Sequence, residues 1–208
     1  GGGVLINQCP HQLDLLQWVV GKMPVSVNGF CEYGKWHDIE VEDEVTAYFR
    51  YKNGATGVFI TTTGEVPGGN RLEISGTKGK LLCENDKIEF YRLSEDVSEF
   101  SKHNEVLFGK PKEEKIAVET DGKNSQHLGI INNFTQAILG KEKLFVSGAD
   151  GISGVELMNA IEYSGWRGGA ETQIPVDENE YLKALNKKRE SSRRKNVAEK
   201  LADTTGTY

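Results

Sequence analysis

The clearest pattern in the chain is an alternation of apolar and polar positions over residues 44–51 and again over 56–62. The two stretches flank Asn53-Gly54, a pair that favours the tight turn of a β-hairpin. Alternation with a period of two predicts two strands, each with its apolar side chains on one face. Similar patterns predict further strands at 24–36, 71–75, 80–84, 87–93, 116–119 and 172–176, with turns at 76–79 and 85–86.

Helical spacing replaces this alternation near the start of the chain and in its last third. A first helix is predicted over 8–20, because Pro10 falls in its first turn and Gly21 follows its last apolar residue. Its apolar positions are Leu13, Leu16, Val19 and Val20. Two later helices, ending near Gly140 and Ser164, are predicted from apolar faces formed by Leu128, Ile131, Phe134 and Ile138 and by Ile152, Val155, Met158 and Ile161.

The order of these elements predicts the fold class. A run of strands followed by helices, rather than an alternation of the two, is typical of α+β proteins. We therefore predict a largely antiparallel, open-faced β-sheet with helices packed on one face. The open face carries Tyr, Phe and Thr side chains, and monomers seldom expose large apolar patches. We expect homo-oligomerisation through this face; the alternative is that a loop or the C-terminal segment covers it.

The opening residues combine a glycine run, an apolar stretch and polar residues at the start of the first helix. After Gly1-Gly2-Gly3, residues 4–6 are predicted to form a strand, and Asn7 to cap the helix with its amide oxygen. His11 and Asp14 then project from the first two turns at a spacing of three. An imidazole placed there in a cleft can take up a proton near neutral pH.

Each of these polar residues has a structural alternative. Asn7 can serve as a helix cap without touching a substrate. A lone histidine is often only a structural residue, but the surrounding motif favours a functional role for His11. Asp14 is expected to orient His11 or a neighbouring backbone group rather than to act directly in catalysis.

Composition narrows the class of protein. The 208 residues carry 31 acidic and 25 basic side chains, a formal net charge of −6 that argues against a nucleic-acid partner. The cysteines Cys9, Cys31 and Cys83 form no CxxC pattern, which fits reduced thiols in a cytoplasmic protein and argues against a zinc site. No apolar run reaches the roughly 20 residues of a membrane span, so no membrane partner is expected. Because the chain starts without Met inside a glycine-rich stretch, we expect it to be part of a longer protein.

Three further polar clusters are weaker candidates. The acidic residues Glu40, Glu42, Asp43 and Glu44 are expected to form a solvated turn between strands rather than a cation site, and no metal is predicted. His127, near the start of a later helix, is a candidate for contact with substrate, with a surface or capping role as the alternative. The basic run within 187–195 is expected to be an exposed helical tail rather than an anion site.

The opening motif and several later segments carry a resemblance to a known family. The glycine run with Asn7, His11 and Asp14 is similar to the motif of the second domain of Gfo/Idh/MocA-family sugar and polyol dehydrogenases, which is glycine-rich and then Asp-x-x-x-His-x-x-Asp. Here Asn7 replaces the first Asp. Four later segments of this chain also resemble parts of that domain: VEDEVTAYFRYKNGATG at 41–57, GTKG at 76–79, IINNF at 130–134 and SGADG at 147–151. With the opening motif they form an ordered set that covers most of residues 1–176.

The resemblance implies a domain organisation. Residues 1–176 are expected to form the C-terminal, substrate-binding sheet domain of the family, and residues 177–208 a C-terminal helical extension or tail. The family's N-terminal Rossmann domain binds NAD or NADP, and no GxGxxG follows a strand in this chain. The isolated chain is therefore expected to be inactive, with its dinucleotide bound mainly by the missing domain.

The resemblance also implies a mechanism for the full-length enzyme. His11 takes the proton from a hydroxyl of a sugar, polyol or cyclitol as hydride leaves the same carbon for the nicotinamide ring. Asn7, Asp14 and His127 are the expected substrate contacts. Since an amide only donates and accepts hydrogen bonds, Asn7 leaves His11 as the evident base. The alternative is a noncatalytic ligand-binding or assembly module that has lost dehydrogenase activity.

Overall fold

The chain divides into two compact units. The computed structural model describes residues 2–123 and 125–193. The first unit contains 2–64 and 146–193, and the second contains 65–123 and 125–145. The predicted division after residue 176 stays a prediction, and residues 194–208 of the predicted extension lie outside the described residues. Within the described part of the chain, no helix has the length and apolar character that crossing a membrane requires.

Both units combine strands with helices, which confirms the α+β class. In chain order the elements are α1 (Val4–Asn7), α2 (Pro10–Val20), β1 (Ser26–Tyr33), β2 (Glu42–Arg50), β3 (Thr56–Thr62), β4 (Arg71–Gly76), β5 (Gly79–Glu84), β6 (Lys87–Leu93), α3 (Val97–His103), β7 (Glu113–Ile116), α4 (Gln126–Ile138), α5 (Gly151–Trp166), β8 (Thr172–Gln173) and α6 (Glu178–Ser191). The first unit contains helices α1, α2, α5 and α6 and strands β1, β2, β3 and β8, and the second unit contains the remaining elements.

The predicted hairpin is confirmed in the first unit. Strands β2 and β3 pair antiparallel from Glu44↔Thr62 to Arg50↔Thr56. Gly54 in the connecting loop has a φ of 85°, which a glycine adopts without strain. The sheet of this unit has the order β3-β2-β1-β8 and is antiparallel throughout, so the predicted return of the chain to the sheet near 172 is also confirmed.

Helices cover one face of this sheet. Helix α5 packs on β1 and α2, while α1 packs on β2. Gly29 of β1 permits the close approach, because an added Cβ would lie 2.6 Å from the carbonyl oxygen of Ile161. The core joins the inward positions of β2 to α5 through Val45, Ala47, Phe49, Leu157, Ala160 and Ile161. The sheet therefore has helices on one face, as predicted.

The opposite face of the same sheet exposes apolar side chains. Phe30, Val58 and Ile60 are 57%, 61% and 68% exposed. Thr46 pairs with both Phe30 and Ile60, and Tyr48 pairs with Val58, so the five side chains share one face. We call Phe30, Thr46, Tyr48, Val58 and Ile60 the open-face patch. The predicted open face is confirmed for the described residues, and association through it stays a prediction.

The second unit contains a separate antiparallel sheet of order β4-β5-β6-β7, whereas one sheet was the expectation. Segment 63–70 contains Pro67, Gly68 and Gly69, residues that disfavour continued strand pairing. The predicted turns are confirmed: Gly76 pairs with Gly79, and residues 85 and 86 both have positive φ between β5 and β6. The last strand, β7, lies at Glu113–Ile116 rather than at 116–119.

The opening segment differs from the prediction in two ways. Residues 4–6 form part of helix α1 and not a strand, since three apolar residues do not distinguish the two structures. The prediction that Asn7 caps the following helix is wrong, because Asn7 ends α1 and Cys9 precedes α2. The Asn7 Nδ2 donates instead to the Gly2 carbonyl at 2.7 Å. The end of α2 is as predicted, with Gly21 in the left-handed conformation at a φ of 69°.

The expectation of a solvated acidic turn is wrong for Glu42 and Asp43. Both side chains are fully buried at the start of β2. Asp43 accepts hydrogen bonds from the backbone N–H groups of the three residues 35–37, at 2.7 to 3.1 Å. Although burial alone would raise the pKa of this carboxyl, the three N–H donors outweigh it and its pKa is lowered. Asp43 thus organises the loop that leads into β2.

Replacing Asp43 with Asn is expected to lower the free energy of unfolding by about 1 to 2 kcal/mol. The asparagine side chain keeps only one acceptor oxygen, so at least one of the three backbone N–H groups loses its hydrogen-bond acceptor. Urea unfolding of this chain measures the change. Asp86→Asn, at an exposed turn position where Asn tolerates positive φ, is the control and is expected to change stability by less than about 0.5 kcal/mol. Equal stability of the two variants would contradict the role of Asp43.

Part of the predicted basic run, residues 187–189, lies in a helix, and Arg193 follows the end of that helix. Helix α6 begins at Glu178 and is capped by Asp177, whose carboxylate accepts from the N–H groups of Asn179 and Glu180. Residues 187–189 are exposed in its last turns. Arg194 and Lys195, which complete the basic run, lie outside the described residues.

Candidate functional site

The candidate active-site segment comprises residues 3–14, which run from the start of α1 into α2. Its buried side includes Leu5 and Cys9, both part of the core of the first unit. The Cys9 Sγ and the Thr61 Oγ1 of β3 lie 2.9 Å apart, which attaches the segment to the sheet. His11 is the second residue of α2, and its side chain is exposed. The segment is therefore fixed on one side and presents His11 to solvent on the other.

The polar residues of the segment have different partners. Among the residues that the structure describes, no hydrogen bond or ion pair involves the His11 side chain. The Asp14 Oδ1 accepts from the Gln17 Nε2 at 3.0 Å on the same helix, rather than from His11. Asn7 is exposed and binds the Gly2 carbonyl. The three predicted residues thus share one short segment, with the imidazole available to a ligand.

His127 belongs to the second unit. It is the second residue of α4, and its side chain is exposed. The residue before it, Gln126, has a φ of 43°. His127 therefore belongs to a different unit from Asn7, His11 and Asp14, which all lie in the first unit.

A carboxylate from the sheet contacts the buried end of the segment. The Glu42 Oε1 accepts from the Leu5 backbone N–H at 3.1 Å. Helix α1 begins at Val4, and Gly3 before it has no side chain with which to cap the first N–H groups. Glu42 therefore supplies, from a neighbouring strand, the acceptor that the helix start lacks.

A second buried carboxyl group lies beside Glu42. Glu162 of α5 lies beside Glu42 and accepts a hydrogen bond from the Tyr181 hydroxyl of α6 at 2.8 Å. Burial raises the pKa of Glu162 to about 7, and the neighbouring Glu42 charge acts in the same direction. Burial also raises the pKa of Glu42. The Glu42 Oε2 is buried and has no hydrogen-bond partner among the described residues. The raised pKa values of the two neighbouring carboxyl groups favour a protonated form of one of them.

The two carboxyl groups line a cavity of about 570 Å³ between α5 and α6. Trp166 also lines it and stacks on Tyr181 with ring centroids 5.3 Å apart. The Lys188 Nζ lies 5.4 Å from the ring centroid of Tyr33 at the same cavity. Because His11 is not among the residues that line it, this cavity is distinct from the predicted site.

Sequence reasoning missed the buried pair. For Glu162 a signal existed, because it follows Met158 by four residues and so falls on the buried face of α5. For Glu42 the alternation along β2 gives the wrong prediction. The even-numbered residues of this strand from Glu44 onward face away from the core, so the pattern predicts that Glu42 does so too. A register shift between Glu32 and Tyr33 pairs Tyr33 with Glu42 and leaves Asp43 as the extra residue of a β-bulge.

Comparison with known proteins finds a family model that matches the first part of the chain. Residues 1–82 match the family model described as GFO/IDH/MocA C-terminal domain. The matched stretch contains the whole candidate active-site segment and the sheet hairpin. The match supports the resemblance drawn from the motifs over these 82 residues, which are less than half of the chain. No curated protein sequence matches the chain.

Solved structures of dehydrogenases share the fold. The WlbA dehydrogenase from Bordetella pertussis, in complex with NADH and UDP-GlcNAcA, has a TM-score of 0.64 and 24% identity, covering 85% of this chain and 46% of that chain. Levoglucosan dehydrogenase, in complex with NADH and levoglucosan, has a TM-score of 0.63 and 20% identity, and the match covers 85% of this chain and 51% of that chain. At these identities the likeness shows the fold. The chain spans about half the length of these structures.

Proposed function

We propose that this chain is the substrate-binding, histidine-bearing and oligomerising domain of a cytoplasmic dehydrogenase that uses NAD or NADP. The observation that carries the proposal is the placement of His11, which is exposed near the start of a helix on a segment attached to the sheet. The family match covers that segment, and solved proteins of the same fold are dehydrogenases bound to NADH. In this proposal a separate Rossmann domain of the full-length protein binds the dinucleotide.

The proposed reaction oxidises a hydroxyl group to a carbonyl, or reverses that step. The hydroxyl proton moves to the His11 imidazole, and the carbon transfers a hydride, with its two electrons, to the nicotinamide ring. Asn7, Asp14 and His127 are proposed to bind neighbouring hydroxyl groups of the substrate. The substrate class is a sugar, polyol or cyclitol, which agrees with the sugar derivatives in the NADH complexes of similar fold.

The noncatalytic module remains the second candidate. It is favoured by Asn7, because an amide replaces a potential acid or base and its Nδ2 is already bound to the Gly2 carbonyl. In this alternative the same segment binds a polar ligand without transferring a hydride.

Nicotinamide absorbance tests the proposal directly. The full-length protein is incubated with NAD or NADP and a panel of sugars, polyols and cyclitols, and the isolated chain is run in parallel. Turnover by the full-length protein alone is the expected result. Calorimetric binding of a panel member without turnover would instead favour the noncatalytic module.

Association through the open-face patch is proposed to involve a second copy of this chain. Replacing Ile60 with Asp is expected to convert the oligomer to monomers, because each symmetric contact would bury two unpaired carboxylates. Sedimentation velocity at matched protein concentrations measures this. Ile88→Asp, at an exposed strand position of the second sheet, is the control and is expected to preserve the oligomer. If Ile60→Asp sediments like the wild type, the patch is not the interface.

A further inference from the structure

We propose that Glu42 is a positioning residue for the candidate active-site segment: its carboxylate binds the Leu5 N–H and so holds α1 and the start of α2 against the sheet. The inference deepens the proposed function and rests on it for its link to catalysis. Glu42 has no role in the proton transfer itself. It acts through Leu5 on the helices that carry Asn7 and His11.

The first support is that Glu42 is the hydrogen-bond acceptor of the Leu5 N–H in the first turn of α1. The Asn7 and Gln8 N–H groups bond to the Gly3 and Val4 carbonyls, as a single helical turn requires. The Leu5 N–H precedes those bonds, and its acceptor is the fully buried Glu42. Breaking this contact would leave a donor unpaired in the core, which costs more than the loss of a surface hydrogen bond.

The second support comes from the glycine run. A Cβ added at Gly3 would overlap the carboxyl carbon and both carboxyl oxygens of Glu42. The carboxylate therefore occupies the space that any larger residue at position 3 would need. A side chain at position 3 would therefore displace the Glu42 carboxylate from the Leu5 N–H.

The third support is the bulge that aims the Glu42 side chain. In a regular strand that retained Asp43 without the register shift, position 42 would share the outward face with Glu44. The bulge pairs Glu42 with Tyr33, on the face that α5 covers. Asp43 fixes the bulge through its bonds to the loop before β2. The local backbone is thus built to direct one carboxylate under α1.

The side chains around Glu42 favour one fixed position for its carboxylate. Glu162 of α5 lies beside it, and Tyr181 of α6 donates to Glu162. On β1, Cys31 and Tyr33 are the titratable groups near the pair, and Lys188 of α6 lines the adjoining cavity. The Leu5 N–H of α1 and the adjacent Glu162 of α5 therefore restrain the Glu42 side chain, and a restrained acceptor is what a positioning role requires.

Hydrogen exchange of the Leu5 amide in this chain tests the contact without any use of activity. Glu42→Ala is expected to increase the exchange rate at least about tenfold, and Gly3→Ala, which displaces the carboxylate, should do the same. Glu42→Gln retains an acceptor oxygen and is expected to stay within about threefold of the wild type. The control is Glu44→Ala, two residues along β2 on the opposite face. Unchanged exchange in Gly3→Ala and in folded Glu42→Ala would overturn the proposal.

Kinetics of the full-length protein then test the link to catalysis. Glu42→Ala is expected to lower kcat by about tenfold or more while KM for the dinucleotide stays within about twofold, and Glu42→Gln is expected to restore most of kcat. Faster Leu5 exchange with unchanged kcat would overturn the positioning role. If the wild type shows no turnover, the proposed function fails separately, and the exchange experiment still decides whether Glu42 holds the segment.

Discussion

Replacing His11 with alanine in the full-length protein is expected to lower kcat by two to four orders of magnitude, the range that a positioned general base contributes. The imidazole is exposed and has no partner among the described residues, so the substitution removes no structural contact that they make. The KM for the dinucleotide is expected to change little, because the proposed Rossmann domain holds most of that ligand. Nicotinamide absorbance under saturating dinucleotide measures the effect.

A second histidine provides the matched control for this prediction. His103 is exposed at the end of α3 in the second unit and pairs with Glu95 at 2.9 Å. His103→Ala is expected to keep kcat within about twofold. His127→Ala, at a proposed substrate contact, is expected to raise the substrate KM more than it lowers kcat. If His11→Ala retains turnover within a few fold of the wild type, His11 is not the base.

The elements that local pattern determines were predictable from the sequence. In β2 and β3 the alternation spans several residues, and Asn53-Gly54 sets where the chain reverses, so the strands and their pairing follow from neighbours in the chain. The position of His11 near a helix start was predictable for the same reason, since Pro10 and Gly21 mark both ends of α2.

The elements that depend on distant contacts were not predictable in this way. Residues 4–6 form a helical turn whose start is stabilised by Glu42, 37 positions beyond Leu5. The burial of Glu42 and Asp43 depends on a bulge against β1 and on the loop at 35–37. From the sequence alone, four charged residues close together are typical of a solvated turn. Only the tertiary partners make burial favourable.

The same limit applies to the candidate site. Asn7, His11 and Asp14 are close in the chain, so a motif is enough to group them. Glu42 and Glu162 meet only when α5 packs on the sheet, and their separation in sequence hides the pair. The carboxyl groups that support the segment are therefore a product of the fold, whereas the groups that face solvent can be recognised in the sequence.

The free energy of unfolding of this chain is expected to fall by on the order of 2 kcal/mol as pH rises from about 4.5 to about 7. In the folded protein burial raises the pKa of Glu162 to about 7 and also raises the pKa of the neighbouring Glu42, which favours a proton on this pair over that window. The unfolded chain releases that proton above the ordinary pKa of Glu, near 4.3. A raised pKa in the folded state therefore stabilises the fold at low pH and loses its contribution as pH passes through about 7. Urea unfolding at a series of pH values measures this slope.

Glu162→Gln is expected to flatten the pH dependence over that window, because its amide can donate to Glu42 without a titrating proton and can still accept from Tyr181. Glu156→Gln, six residues earlier on α5 and outside the buried pair, is the control and is expected to keep the wild-type slope. Parallel curves for the wild type and Glu162→Gln would show that the two carboxyl groups hold no common proton. A flattened curve with full folding would instead identify the pair as the group that links protonation to the packing of α5 beneath the candidate active-site segment.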